Sequence, residues 1–354
     1  MIFWFYIYLF KLLIQQSIFS GKFSLLSKTI IKKMFNENTS VLYQARYCAQ
    51  EDFSVAVRKN TSLKLLEIPL SMKSYENSKQ KGVITKRRHN FKIVAHGSNL
   101  FVISESRRNI MFEKYLVSSE EKIVLPSMLD KRINFCVCSF MQKIYVIGGE
   151  SKIQENSASF IDSCMCYDIK SNKWTYITSL MANRRYASCA VFKGKIVVTG
   201  GYLILVRNDN YNSYSKLKSS ESYCLHENKW TQFSDMIQSR VDHSSVTIAN
   251  KLFVIDGDYK NSCEVLDGVT NKFAFVKSLP KLKDDQSYFL SNIKAVSIGY
   301  KIYVFREMKH INKRDDSRSD MLVYCYNDKQ NALVQESNLQ FECEVFSCAK
   351  VSKK

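Results

Sequence analysis

The sequence predicts an all-β fold assembled from repeated four-stranded sheets. Three observations carry that expectation. Residues 132–181 and 184–236 say nearly the same thing twice. NFCVCSF leads to KIYVIGG, a loop, SCMCYDI and SNKWTYITSLM; then ASCAVF leads to KIVVTGG, a longer loop, SESYCL and ENKWTQFSDM. The spacing is regular: Arg132 and Arg184 lie 52 residues apart, as do Gly148-Gly149 and Gly200-Gly201, and Trp174 and Trp230 lie 56 apart. Self-similarity at about 50 residues with four short strands per unit is the pattern of propeller blades. The composition agrees, with 13% aromatic residues and only 3 Pro in 354 residues.

Each element of the unit has a physical reason. The pattern in Lys195-Ile196-Val197-Val198 is expected to alternate, burying one strand face against the neighbouring blade. The Gly pair ends the second strand where the backbone turns sharply and a side chain would crowd the next blade. Asn172-Lys173 and Asn228-Lys229 fit the hairpin between third and fourth strands, because Asn tolerates a positive φ. Trp174 and Trp230 open the fourth strand, seven residues after Tyr167 and Tyr223. Burying one such ring is worth about 1.5–3 kcal/mol.

The Gly-Gly pair, the Tyr-(six residues)-Trp spacing and the Asn-Lys-Trp turn resemble the kelch family, and in particular the kelch half of BTB-kelch proteins. The same grammar can be followed outward from the two clear units. A unit at 88–128 has Ser104-Glu105 in place of the Gly pair and Ile123 in place of the Trp. Residues 240–279 carry KLFVIDG and Asn271-Lys272-Phe273, and residues 290–339 carry KIYVF followed by Arg306-Glu307. Ser54–Arg58 and Leu63–Leu70 read as a third and a fourth strand with no first strand before them. The missing strand is expected at the C-terminus, where Phe346-Ser347-Cys348-Ala349 resembles Tyr186-Ala187-Ser188-Cys189-Ala190. Residues 39–72 with 340–351 then make one split unit. The expectation is a six-bladed kelch-type β-propeller over 37–354, closed by a C-terminal strand so that no sheet edge is exposed.

A short apolar lead-in, residues 1–36, precedes it. Its run IFWFYIYLF is too short to span a bilayer, and it lacks the basic start of a signal peptide. A signal, an anchor, an amphipathic lead-in or the remnant of an upstream domain are the readings open for it. The chain carries a net charge of +19, compatible with nucleic acid, an anionic membrane or an acidic protein partner. Its basic residues are spread along the sequence, with only a short Lys86-Arg87-Arg88 cluster, which favours a solvated surface over a nucleic-acid stripe, so no nucleic-acid partner is expected. The 11 Cys form no compact framework. Cys136/Cys138 and Cys164/Cys166, spaced i, i+2 on strands, read as buried thiols of a reducing, cytoplasmic compartment.

No catalytic spacing is present: no Gly-x-Ser-x-Gly, no phosphate-cradling glycine loop, no His-Glu-x2-His, no Cys-x2-Cys. The chain reads as a non-enzyme with no cofactor and no metal. Copper ligands of the kind used by propeller oxidases would have to come from His, Tyr and Cys that form no motif here. A partner face is expected instead from the loops after the second and fourth strands. The turns Arg88-His89-Asn90, Arg132-Ile133-Asn134, Arg184-Arg185-Tyr186 and Arg240-Val241-Asp242 lie there. The kelch resemblance implies that Asn90, Asn134, Tyr186 and Asp242 face a binding pocket. For Arg88, Arg132, Arg184 and Arg240 two readings stay open: contact with a partner, or capping of blades by hydrogen bonds to carbonyls. Residues 202–220 form the longest loop expected on that face and 307–320 the most highly charged. The resemblance further implies a substrate-recognition module for a cullin-RING ubiquitin ligase, working through a partner BTB protein on a substrate with an acidic segment. The alternative is an actin-binding cytoskeletal protein.

Overall fold

Six four-stranded antiparallel sheets follow one another along the chain among the described residues. The computed structural model describes residues 51–352 apart from 60–61, 69–78, 87–88, 106–109, 117–118, 120, 152–158, 207–211, 259–261, 277–278, 280–287, 299–300, 311–316, 328, 331 and 342–343, with side chains over a narrower set within 92–335. The lead-in at 1–36 lies outside the described residues.

Sheet I is discontinuous in sequence, with Glu344–Ser352 beside Glu51–Lys59, then Ser62–Ile68 and Lys79–Lys86. The expected C-terminal strand thus pairs with the N-terminal ones, Cys348 opposite Val55 and Ala349 opposite Ser54. The run Ser54–Arg58 stands second in this sheet, not third, and the fourth place goes to Lys79–Lys86. That last strand, KQKGVITK, carries three lysines and a glycine and has almost no apolar alternation to betray it.

Sheet II holds His89–His96, Asn99–Glu105, Ile110–Leu116 and Glu121–Leu125. Sheet III holds Cys136–Phe140, Lys143–Ile147, Cys164–Asp168 and Lys173–Ile177, and sheet IV Ser188–Phe192, Lys195–Thr199, Ser220–Cys224 and Lys229–Phe233. Sheet V holds Ser244–Ile248, Lys251–Ile255, Cys263–Asp267 and Phe273–Val276. Sheet VI holds the longer Tyr288–Ile298, Lys301–His310, Ser317–Asn327 and Ala332–Phe341. The first strand of each sheet touches the first strands of the sheets before and after it, and that of sheet VI touches Glu344–Ser352 of sheet I.

Burial falls from the second strand outward. Ile144–Ile147, Ile196–Thr199 and Leu252–Ile255 are buried throughout. The expected alternation in Lys195–Thr199 is therefore replaced by a continuous buried run, because a neighbouring sheet covers each face. One core between sheets II and III gathers Phe101, Phe112, Ile144, Val146, Tyr167 and Trp174. The next, between III and IV, gathers Cys136, Cys138, Tyr145, Cys164, Cys166, Tyr223 and Trp230. Both i, i+2 cysteine pairs face that second core as expected, and burial pushes the Cys164 thiol up to about 12.

The Tyr-Trp spacing has a direct cause. Tyr167 is the cross-strand partner of Trp174, and Tyr223 that of Trp230, through hairpins whose Asn172 and Asn228 hold φ of 57° and 48°. The tyrosine hydroxyls donate to those asparagine side chains. Each indole then reaches back to the previous sheet: Trp174 Nε1 donates to the Pro126 carbonyl and Trp230 Nε1 to that of Thr178, both at 2.9 Å. Trp174→Ala and Trp230→Ala are each expected to cost about 3–5 kcal/mol. Tyr214→Ala, on a ring 51% exposed, should cost under about 1 kcal/mol. Urea unfolding measures all three, and equal small losses would contradict this packing.

Candidate functional site

Each of three consecutive units opens on an arginine that turns inward. Arg132 and Arg240 are 0% exposed and Arg184 is 2% exposed. Arg184 Nη1 donates to the carbonyls of Gly200 (3.0 Å) and Ser219 (2.8 Å), Nη2 to Ser219 Oγ (2.9 Å), and Nε to Glu221 Oε1 (3.0 Å). Arg240 repeats this set with Asp256, Ser262 and Glu264. Arg132 reaches Gly148 and both oxygens of Ser163. Met165 stands where the next two units have Glu, so Asp130 supplies the carboxylate instead, accepting from Nε and Nη2. A guanidinium buried this deeply is tolerable only with such full pairing.

The arginine backbone carries a second link. The Gly149 and Gly201 amides donate to the carbonyls of Arg184 and Arg240 in the next unit, both at 2.8 Å. Gly148 and Gly200, at φ 61° and 58°, leave no room for a side chain: a Cβ would stand 2.6 and 2.5 Å from those same carbonyl oxygens. The Gly pair is needed for its backbone angle and for this approach together.

Two residues beyond each arginine the chain enters the left-handed region, at Asn134 (φ 55°), Tyr186 (φ 54°) and Asp242 (φ 53°). Their backbones join unit to unit, Tyr186 N–H donating to Asn134 C=O and Asp242 N–H to Tyr186 C=O, each at 2.9 Å. Holding a tyrosine in that region costs about 1–2 kcal/mol relative to an unstrained angle. All three line one cavity of about 150 Å³, together with Lys92, Lys294, Cys136, Ser188 and His243. Asn134 Nδ2 donates to Glu150 Oε1 (2.8 Å), and Lys294 Nζ lies 3.6 Å from Asp242 Oδ1.

The Kelch motif matches residues 131–181. Curated proteins similar to this chain are kelch-like ones. Kelch-like protein 26 of Danio rerio is 29% identical over 129 residues, 36% of this chain and 20% of that protein. Kelch-like protein 23 of Homo sapiens is 27% identical over 138 residues, 39% and 22% of the two chains. Kelch-like protein 41b of Danio rerio is 32% identical over 121 residues, 34% and 18%. Residues 131–181 carry a Kelch motif, and the chain is similar to kelch-like proteins over about a third of its length. It matches about a fifth of the length of those relatives.

Within the kelch units, the expected contact residues separate into two groups. Asn134, Tyr186 and Asp242 come together at the cavity. Arg132, Arg184 and Arg240 do not; they are corrected to structural residues, because each commits its hydrogen bonds to carbonyls of its own unit and a neighbouring acid. Arg88 lies outside the described residues. Asn90 falls in the strand His89–His96, for which only the backbone is described at that position. The two expected loops also change. Residues 202–220 contain a hairpin, Tyr202–Val206 against Asn212–Lys216. Within 307–320 the strands of sheet VI extend, pairing Glu307 with Ser319 and Lys309 with Ser317, since a polar pair of strands still satisfies its backbone through the ladder.

Sequence reasoning missed the cavity wall. Counting four residues on from the motif position gives Lys92, Cys136, Ser188, Ser244 and Lys294, all on first strands and all lining the cavity. Ser188 Oγ accepts from Ser245 N–H (2.9 Å), and Ser244 Oγ from Ala295 N–H (3.0 Å), so this layer also stitches units together. His243 Nε2 bonds Thr199 Oγ1 at 2.7 Å. Burial, then Arg240 and Lys294, bring the His243 imidazole down to about 3, so it is neutral. Beside the mouth, Arg185 lies over the rings of Tyr186, Tyr202 and Tyr214 (5.0–5.8 Å to the centroids) and pairs with Glu150. The aligned units would have exposed the wall lysines; the arginine-tyrosine cluster depends on the hairpin and has no periodic signal. The wall supplies ammonium, amide, hydroxyl and carboxylate groups for holding a ligand.

Arg184→Ala leaves Glu221 buried without its cation and is expected to cost about 3–5 kcal/mol. Calorimetry checks this; a melting temperature within a degree or so of the parent would contradict the structural role.

Proposed function

We propose that this chain is a protein-binding kelch module that seats a segment of its partner over the cavity lined by Asn134, Tyr186 and Asp242. One observation carries the reading. Equivalent positions of successive units hold three different side chains in the left-handed region around one cavity, while the arginines two residues earlier are held fixed. Backbone strain kept at a concave site supports a functional reading, and differing side chains on a repeated frame suit a specific surface. The Arg185–tyrosine cluster beside the mouth adds the aromatic and guanidinium groups that favour interfaces.

The further reading is that of a substrate-recognition part of a cullin-RING ubiquitin ligase adaptor, working in the cytoplasm through a BTB protein. Its support is the resemblance to BTB-kelch proteins and the similarity to kelch-like proteins. Asn134→Ala with Tyr186→Ala is expected to leave the melting temperature within a few degrees of the parent and to weaken partner capture tenfold or more, each contact being worth about 1–2 kcal/mol. Proximity labelling in the native cell, with the parent and the variant as baits, tests it. Loss of cullin and BTB proteins from the variant's set supports the adaptor reading, and co-sedimentation of the parent with filamentous actin the cytoskeletal one. Unchanged labelling would overturn the site.

A further inference from the structure

The cavity wall carries an uneven charge. At the fourth position of the repeat, the units of sheets III, IV and V have Cys136, Ser188 and Ser244, but those of sheets II and VI have Lys92 and Lys294. Sheets II and VI are the two whose first strands flank the strand Glu344–Ser352, so the lysines bracket that strand at one side of the cavity. The strand EVFSCAKVS brings no acid after its first residue. Among the described lining residues the only carboxylate is Asp242, 43% exposed at the rim and set against Lys294. No carboxylate of the described residues stands within ion-pair distance of Lys92. Burial, then Lys294, lower the Lys92 ammonium from the usual range, and Asp242 offsets part of that effect.

Two cations sharing a partly enclosed space repel each other at a cost that grows as water is withdrawn. Asp242 offsets one of the two charges, and a bound anion would offset the other. The cavity, about 150 Å³, is several times what a single water requires, and its wall offers the Tyr186, Ser188 and Asn134 side chains for hydrogen bonds.

We propose that the wall of this cavity is an oxyanion site in which Lys92 and Lys294 together hold one carboxylate or phosphate group. The anion neutralises the lysine pair, and Asp242 at the rim admits a single such group and disfavours a run of them. This rests on the partner-binding reading only for the source of the anion; the site itself is tested without any partner.

The test is thermal unfolding of the full chain at matched ionic strength in sodium chloride, in inorganic phosphate, and in chloride with an N-acetylated, C-amidated peptide holding one glutamate. Phosphate in roughly fivefold excess over its Kd should raise the melting temperature of the parent by about 2–4 °C. Lys92→Met and Lys294→Gln should each abolish that rise. Lys92→Met should melt in chloride at or above the parent, since it removes one of two cations lining the same cavity, which a purely structural lysine would not do. A rise with the glutamate peptide as well assigns the group to a protein side chain; a rise with phosphate alone assigns a phosphate-bearing ligand. If the parent responds to neither, or if both variants respond to phosphate as the parent does, the proposal falls.

Discussion

The mouth of this protein depends on one buried arginine in each of three consecutive units, Arg132, Arg184 and Arg240. The side chain of Arg184 closes its own unit by taking two turn carbonyls, a serine and a glutamate, while its backbone carbonyl accepts the Gly149 amide of the unit before. The same residue therefore ties a unit to itself and to its neighbour. The Gly pair follows as a requirement, because the approach of that carbonyl leaves no space for a Cβ. Arg240 repeats the arrangement with Gly201, and Arg132 keeps its inner half with Asp130 standing in for the glutamate. Replacement of the acid from a different place in the chain shows what is conserved physically: a carboxylate at the guanidinium, from whichever residue can reach it.

This division of labour leaves the next residues available. With the arginine committed, the backbone two residues on is pinned in the left-handed region by the bonds linking Asn134, Tyr186 and Asp242, and their side chains can differ without disturbing the frame. The layer two residues further on is partly structural, with serine hydroxyls accepting from the following unit, and partly charged, where Lys92 and Lys294 replace them. Positive charge in the cavity wall thus comes from lysines on the inner strands. Arg132, Arg184 and Arg240, which the motif displays most plainly, serve stability.

The repeat, the four strands, the hairpin asparagines, the tyrosine-tryptophan pairs and the pairing of the C-terminal strand with the N-terminal ones were legible in the sequence, because each is a local rule repeated at a fixed spacing. The order of strands in sheet I was not. Lys79–Lys86 has too little apolar pattern to compete with the hairpin read at Ser54–Leu70, and its register is interrupted twice against Ser62–Ile68. The alternation expected in Lys195–Thr199 failed for a related reason: a strand covered on both faces loses the period that one-sided burial imposes. At the site, a motif shows which positions are special but not which way they point. Arg184 and Tyr186 are equally prominent in sequence, and only the placement of Ser219 and Glu221 behind the turn decides that the first is buried and the second faces the cavity.

Amide hydrogen exchange at Gly149 and Gly201 tests the central claim most directly. Loop glycines exchange through local fluctuations, whereas amides held in inter-unit bonds exchange only when the fold opens. If the arginine carbonyls bind these amides, both should be protected as strongly as Val146 and Val198 in the buried second strands, and Arg184→Ala should lower the protection of Gly149 more than that of Gly201. Exchange of both glycines at the rate of the exposed turn residue Gly194 would contradict the account.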